Sequence, residues 1–312
     1  DDGIPVTFMF NVSAAPIPAA GAQAGFAAAR QNWTDVTGAT VAVGDGGSTT
    51  QTCRVLFDGS VISHGDPCGQ MPPFDPGSCS GVLAITGVSG FTTESRTING
   101  VSFLRMTEAD TVFNASTECF YAGPFAQKNY EEVLTHEMGH GLGLGHSCGD
   151  AYTAACVPGT EADDALMAAF AHGGGRGGTP HADDVDGIRF IYPPLGFIDL
   201  KLNQAAFATG QAMHLTTDVN GTASADFYLV LVYPDRSFVS LAPGLPRNVL
   251  VPSSTNVPLH FLTDVPLFNH TFTGSEPVGS YYWVTILVRA GTSVQNTANW
   301  LSSDYAVFTF AP

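Results

Sequence analysis

His136-Glu137-Met138-Gly139-His140-Gly141-Leu142-Gly143-Leu144-Gly145-His146 combines helical periodicity with the spacing of a metal site. Two imidazoles four residues apart lie one turn above each other on one face of a helix, close enough to share an ion. The flanking pattern supports that helix: Tyr130, Val133, Leu134, Met138 and Leu142 recur near helical spacing from Gln127 to Gly143, where glycines end it. Gly143 supplies the permissive backbone that bends the chain and returns His146 as a third ligand. Glu137 then lies beside the metal rather than on it. Three neutral imidazoles leave a fourth position open, the pattern of a catalytic rather than a structural zinc site. A His-Glu-x-x-His pentapeptide alone is short enough to arise by accident; the glycine and the third histidine in register give it weight. The remaining histidines, at 64, 172, 181, 214, 260 and 270, have no partner at ligand spacing and read as surface or hydrogen-bonding residues.

Upstream of this helix, residues 4–11 read as a strand, and 19–36 as a helix buried on the face that carries Phe26 and Trp33. Short strands are expected at 40–43, 53–57, 81–88 and 101–114, separated by Gly, Pro and Ser turns. Downstream, 182–191 reads as a helix whose first turns hold Asp183, Asp184 and Asp186, which suit the positive end of its dipole. Pro193-Pro194 then punctuates the chain. Beyond it there is no cysteine, and alternating runs at 227–233, 257–262, 281–289 and 305–310 predict an all-β module, for which an immunoglobulin-like sandwich is the best fit. The expected domains are 1–194 and 195–312.

The 11 basic and 28 acidic residues give a net charge of −17, and no local basic patch offsets it, so nucleic acid is excluded as a partner. No apolar run approaches the ~20 residues needed to span a bilayer. The start, Asp-Asp-Gly, carries neither a basic n-region nor an apolar h-region, so the chain reads as already processed and secreted. Six cysteines, Cys53, Cys68, Cys79, Cys119, Cys148 and Cys156, fall in the first half and suggest three disulfides of an extracellular framework. Their pairing is open, with the short loop Cys148 to Cys156 preferred. Reduced thiols or a second metal site are the disfavoured alternative, because no Cys-x-x-Cys occurs.

With these motifs in view, the chain resembles the metzincin zinc peptidases. Gly143-Leu144-Gly145-His146-Ser147 is similar to the matrixin branch, and Ala165-Leu166-Met167 is similar to its Met-turn. The segment from Asp183 to Tyr192 resembles the closing helix of matrixins, Gly81-Val82-Leu83-Ala84-Ile85 their substrate-binding edge strand, and Glu108 to Asn114 the strand before the active-site helix in bacterial members. The resemblance covers about residues 4–193. It implies an α+β zincin catalytic domain, a twisted mixed sheet with an active-site helix, holding one catalytic Zn2+ on His136, His140 and His146. Glu137 would act as general base and then acid on a zinc-activated water, Met167 would form the floor, and Leu83 and Ala84 would pair with an extended protein or peptide substrate.

The chain also departs from that family. It has no Pro-Arg-Cys-Gly latency segment, and Ala168-Ala169-Phe170-Ala171 stands where matrixins carry the Pro-x-Tyr wall of the specificity pocket. His64-Gly65-Asp66 matches half of the matrixin structural zinc site, but the His-Phe-Asp partner is missing, so 64–66 is read as a loop. Ca2+ is a second candidate cofactor, at Asp45 with Gly46-Gly47 or at Asp163-Asp164, with an exposed acidic turn the preferred reading of each. The expected function is a secreted zinc-dependent endopeptidase. The alternative is a surface adhesion or assembly protein working through 195–312, with a vestigial protease-like domain.

Overall fold

The computed structural model describes residues 5–55, 59–242 and 247–312. The chain divides into two compact units, Asp1–Tyr192 and Pro193–Pro312.

The first unit runs β1 (Val6–Phe10), α1 (Ala19–Thr34), β2 (Val43–Ser48), β3 (Val61–His64), β4 (Ala84–Ile98), β5 (Val101–Phe113), α2 (Ala126–Gly141), α3 (Glu161–Asp164) and α4 (Ala182–Ile191). Its sheet has the order β2-β1-β3-β5-β4. β1, β2, β3 and β5 pair in parallel, and β4 lies antiparallel to β5 at the edge. Asn99 and Gly100, both at positive φ (48° and 80°), turn the β4–β5 hairpin, as two-residue hairpin loops require. β3 is buried along its whole length, as expected of a strand inside a parallel sheet.

The helices cover the sheet through one core, in which Phe8, Phe10, Ile62 and Phe113 meet Phe26, Trp33, Tyr130, Leu134 and Met138. Close approach is built into the sequence. A Cβ on Gly25 of α1 would stand 2.8 Å from the Tyr130 ring of α2, and one on Gly141 would stand 2.8 Å from the Phe8 ring. Trp33 ties the two helices further by donating from Nε1 to the Thr135 carbonyl at 2.8 Å.

Several expected elements move. The strand expected at 40–43 begins only at Val43. Residues 53–55 are not a strand, and 56–57 lie outside the described residues. Val55 is half exposed and none of residues 53–55 is buried, whereas Val61 and Ile62 are wholly buried and form β3. His64, expected in a loop, is the last residue of that strand. The three disulfides are Cys53–Cys68, Cys79–Cys119 and Cys148–Cys156, an arrangement suited to an oxidising compartment. Among the described residues no helix is long and apolar enough to cross a membrane.

The second unit is built from β6 (Phe197–Leu202), β7 (Ala206–Phe207), β8 (Ala212–Asn220), β9 (Ser224–Val232), β10 (Phe238–Ser240), β11 (Ser254–Pro258), β12 (Leu262–Thr271), β13 (Gly279–Arg289) and β14 (Trp300–Phe310). One sheet has the order β10-β9-β13-β14-β7 with β11 beside β9, and a second has the order β12-β8-β6. Leu200, Met213 and Leu215 of the smaller sheet share a core with Leu229, Trp283, Phe308 and Phe310 of the larger, so the two sheets bury facing sides against each other. The run expected as one strand at 257–262 is interrupted: β11 stops at Pro258 and β12 starts at Leu262, in the other sheet. Proline offers no N–H to a ladder, which favours a break there.

Candidate metal centre

The last turns of α2 carry His136, Glu137 and His140. Beyond the helix, Gly143 adopts φ +100°, and Leu144 N–H bonds back to the Gly139 carbonyl at 3.0 Å. This left-handed exit is a standard way to end a helix, and it redirects the chain so that His146 comes back over the two helical histidines. Their ring centroids lie 4.7 Å (His136 to His140), 5.3 Å (His136 to His146) and 4.8 Å (His140 to His146) apart. Each offers one ligand nitrogen, and the three nitrogens lie within 4.8 Å of one another.

The second ring nitrogen of each histidine is fixed by an oxygen. Nδ1 of His136 donates to the Leu166 carbonyl, and Nδ1 of His140 to the Leu144 carbonyl, both at 2.8 Å. Nδ1 of His146 donates to Oδ2 of Asp150 at 2.7 Å. Each bond places the proton on Nδ1 and leaves Nε2 with a free lone pair, as a metal ligand requires. Burial, reinforced by His140, pushes the His136 imidazole down to about 3, so it is neutral at ordinary pH. Three imidazole donors, each with Nδ1 held by an oxygen, fit a borderline ion such as zinc.

Beneath the site, Met167 packs under α2, where a Cβ on Gly139 would collide with its Sδ and with the Trp33 ring. The backbone around it is held by Asp184 of α4, which accepts from Leu166 N–H at 2.7 Å and Met167 N–H at 2.9 Å. Asp184 is 1% exposed and also accepts from His181 N–H at 2.8 Å. One buried carboxylate thus fixes the strip of chain whose Leu166 carbonyl orients His136.

Glu137 is 4% exposed. Its Oε2 accepts from the Thr86 hydroxyl at 2.7 Å, and Thr86 lies 2.7 Å from the Thr111 hydroxyl on the neighbouring strand. Burial pushes the Glu137 carboxyl up, while His140 and the Thr86 bond pull it down. Thr86 belongs to the edge strand β4, which therefore reaches the site directly.

Leu83 is half-buried just before β4, and Ala84 is its first, buried residue. The Leu83 carbonyl accepts from Asn114 N–H at 2.9 Å, so its backbone faces β5. In an antiparallel pair backbone groups alternate in direction. Ala84 and Thr86 consequently turn theirs to the open edge, whereas Leu83 does not. The Leu83 backbone is thus engaged by Asn114, and the backbone groups at the open edge of β4 are those of Ala84 and Thr86.

The other candidates are otherwise engaged. Both ring nitrogens of His64 are occupied in the core, by the Asn11 carbonyl and the Tyr130 hydroxyl, each at 2.8 Å. Both oxygens of Asp66 cap the following turn at Gln70 and Met71. Asp45 pairs with Arg30 at 3.4 Å and accepts from Gly47 N–H. Asp164 pairs with His181 and Arg176, and Asp163 accepts from Gly159 N–H. Among the described residues, His136, His140 and His146 form the one group of three or more His, Cys, Asp or Glu placed to share an ion.

Thr86, Asp150 and Asp184 are the site residues that sequence reasoning does not supply. Asp184 is noticed there only as a helix-dipole residue. Asp150 has a faint signal, a Gly-Asp turn four residues after the third histidine inside a short Cys-to-Cys loop.

No family model matches the chain, and no curated protein is similar to it. Among solved structures it is similar to the sporulation control protein Spo0M of Bacillus subtilis, at 16% identity and TM-score 0.23 over 38% of this chain and 50% of that one. It is also similar to the alkylpurine DNA glycosylase AlkC of Pseudomonas fluorescens bound to DNA containing an abasic site analogue, at 10% identity and TM-score 0.22 over 41% of this chain and 33% of that one. The chain thus spans half or less of each of these proteins, and likeness of this degree carries no argument about fold or function.

Proposed function

We propose that the chain is a secreted zinc-dependent endopeptidase of the metzincin type, with a matrixin-like zincin catalytic unit and an immunoglobulin-like accessory sandwich. The observation that carries this reading is the convergence of His136, His140 and His146, each with Nδ1 bonded to an oxygen, with the Glu137 carboxyl near enough to His140 to feel its charge. These three imidazoles would hold the metal. Zinc bound there supplies Lewis-acid polarisation of a carbonyl and lowers the pKa of water towards ~7.

The remaining chemistry belongs to the chain. Glu137 anchors Oε2 on Thr86 and uses Oε1 to take the proton from the attacking water, then returns it to the departing amine nitrogen. The outward backbone of Ala84 and Thr86 would align an extended peptide along β4 by strand addition. Met167 packs beneath the histidine-bearing helix without bonding the metal.

The test is cleavage of a denatured protein by zinc-loaded chain. Activity should vanish with a chelator and return with zinc, and Glu137→Gln should bind zinc yet be inert. A wild type inert on every peptide of a broad library contradicts the proposal.

A further inference from the structure

His146 differs from the other two candidate ligands in how it is held. His136 and His140 ride on α2 and give their Nδ1 protons to neutral backbone carbonyls. His146 lies beyond the helix, on a loop, and gives its proton to a carboxylate, Asp150 Oδ2, at 2.7 Å. A loop residue inherits no position from helical geometry, so something else must fix its ring.

Asp150 is equipped for that task. Its Oδ1 accepts from Tyr152 N–H, Thr153 N–H and the Thr153 hydroxyl, each at 2.8 Å. Three donors on one oxygen stop the carboxylate from rotating and aim the other oxygen at His146. The segment that bears it is closed by Cys148–Cys156 and by Gly149 N–H to the Ala154 carbonyl at 2.8 Å. Gly149 adopts φ +92°, and a Cβ there would stand 2.9 Å from Cys156 Sγ, so the loop tolerates little rearrangement. The base of the loop is also pinned to the floor of the site, through Ser147 N–H to the Met167 carbonyl and Ala169 N–H to the Cys148 carbonyl, both at 3.0 Å.

We propose that Asp150 is the positioning residue of the third metal ligand, fixing the tautomer, orientation and basicity of His146, and that the Cys148–Cys156 loop exists to hold it there. This inference rests on the reading of His136, His140 and His146 as a metal site. A carboxylate behind a ligating imidazole makes the nitrogen facing the metal a better donor, and losing such a partner typically weakens metal binding by about 10–100-fold.

The experiment measures the zinc dissociation constant by competition with a chromophoric chelator for wild type, Asp150→Asn and Asp150→Ala. Asparagine can keep Oδ1 on the turn donors while removing the charge and presenting an amide to His146. Asp150→Asn should therefore bind zinc about 10–100-fold more weakly, with an unchanged zinc-free thermal midpoint, and Asp150→Ala should be at least as weak. If Asp150 only shapes the loop, Asp150→Asn will keep wild-type affinity and alanine alone will lose it; that result overturns the inference. A wild-type chain that binds no zinc overturns the underlying metal site instead, so the two failures are distinguishable.

Discussion

Replacing His64 by glutamine should remove most of one acid-sensitive component of the stability of the first unit. His64 is 2% exposed, between Asn11, Tyr130 and the ring of Phe113 at 4.9 Å. Burial drives its imidazole from 6.5 down to about 4, against the opposing bond to the Asn11 carbonyl. In the folded chain the ring is neutral, with Nδ1 donating to Asn11 and Nε2 accepting from Tyr130. Between these two values the unfolded chain binds the proton and the folded chain does not. The stabilisation is therefore complete above pH 6.5 and is lost as pH falls through 6.5 towards 4. The full interval is worth about 3 kcal/mol, and roughly 2 kcal/mol of it is gone by about pH 5. Urea unfolding followed by tryptophan fluorescence, at about pH 7.5 and 5, measures the loss. Wild type should lose roughly 2 kcal/mol more than His64→Gln over that interval, and contributions common to both proteins cancel in the difference. Parallel pH curves for the two proteins would refute a neutral, buried His64.

Further perturbations probe the packing and the site. Gly139→Ala places a methyl against Met167 and Trp33, so it should cost about 1–3 kcal/mol in chemical denaturation and weaken zinc binding. Thr86→Val keeps shape but removes the donor to Glu137. A hydrogen bond to a charged group is worth about 1.5–3 kcal/mol, so kcat should fall by about tenfold or more with little change in KM; a KM effect alone would place Thr86 in substrate binding. Changing both Cys148 and Cys156 to serine opens a loop of sequence separation 8 and should lower stability by roughly 2–3 kcal/mol on the loop-closure estimate, read as a drop in denaturation midpoint.

The legibility of this chain divides along a physical line. The helix that bears His136, Glu137 and His140 is readable because burial on one face imposes a period, and ligand spacing coincides with it. Gly143 was a clue of the same local kind, and its φ of +100° is the bend that returns His146. The short Cys148–Cys156 loop was legible because little chain separates its ends. The groups that tune the site are not local. Thr86 meets Glu137 across 51 residues and Asp184 meets Leu166 across 18, contacts set by how sheet and helices dock. Asp150 is close in sequence, but its role depends on a turn conformation that no residue pattern specifies. His64 is the reverse case: its motif suggests half of a metal site in a loop, whereas its neighbours in space make it a core residue.

X-ray absorption spectroscopy at the zinc edge on the zinc-loaded full chain probes the three-histidine site itself. The spectrum should show three imidazole nitrogens at about 2.0–2.1 Å and a single light, non-protein donor. A sulfur shell near ~2.3 Å or a fourth imidazole would contradict it, since either closes the position that hydrolysis needs.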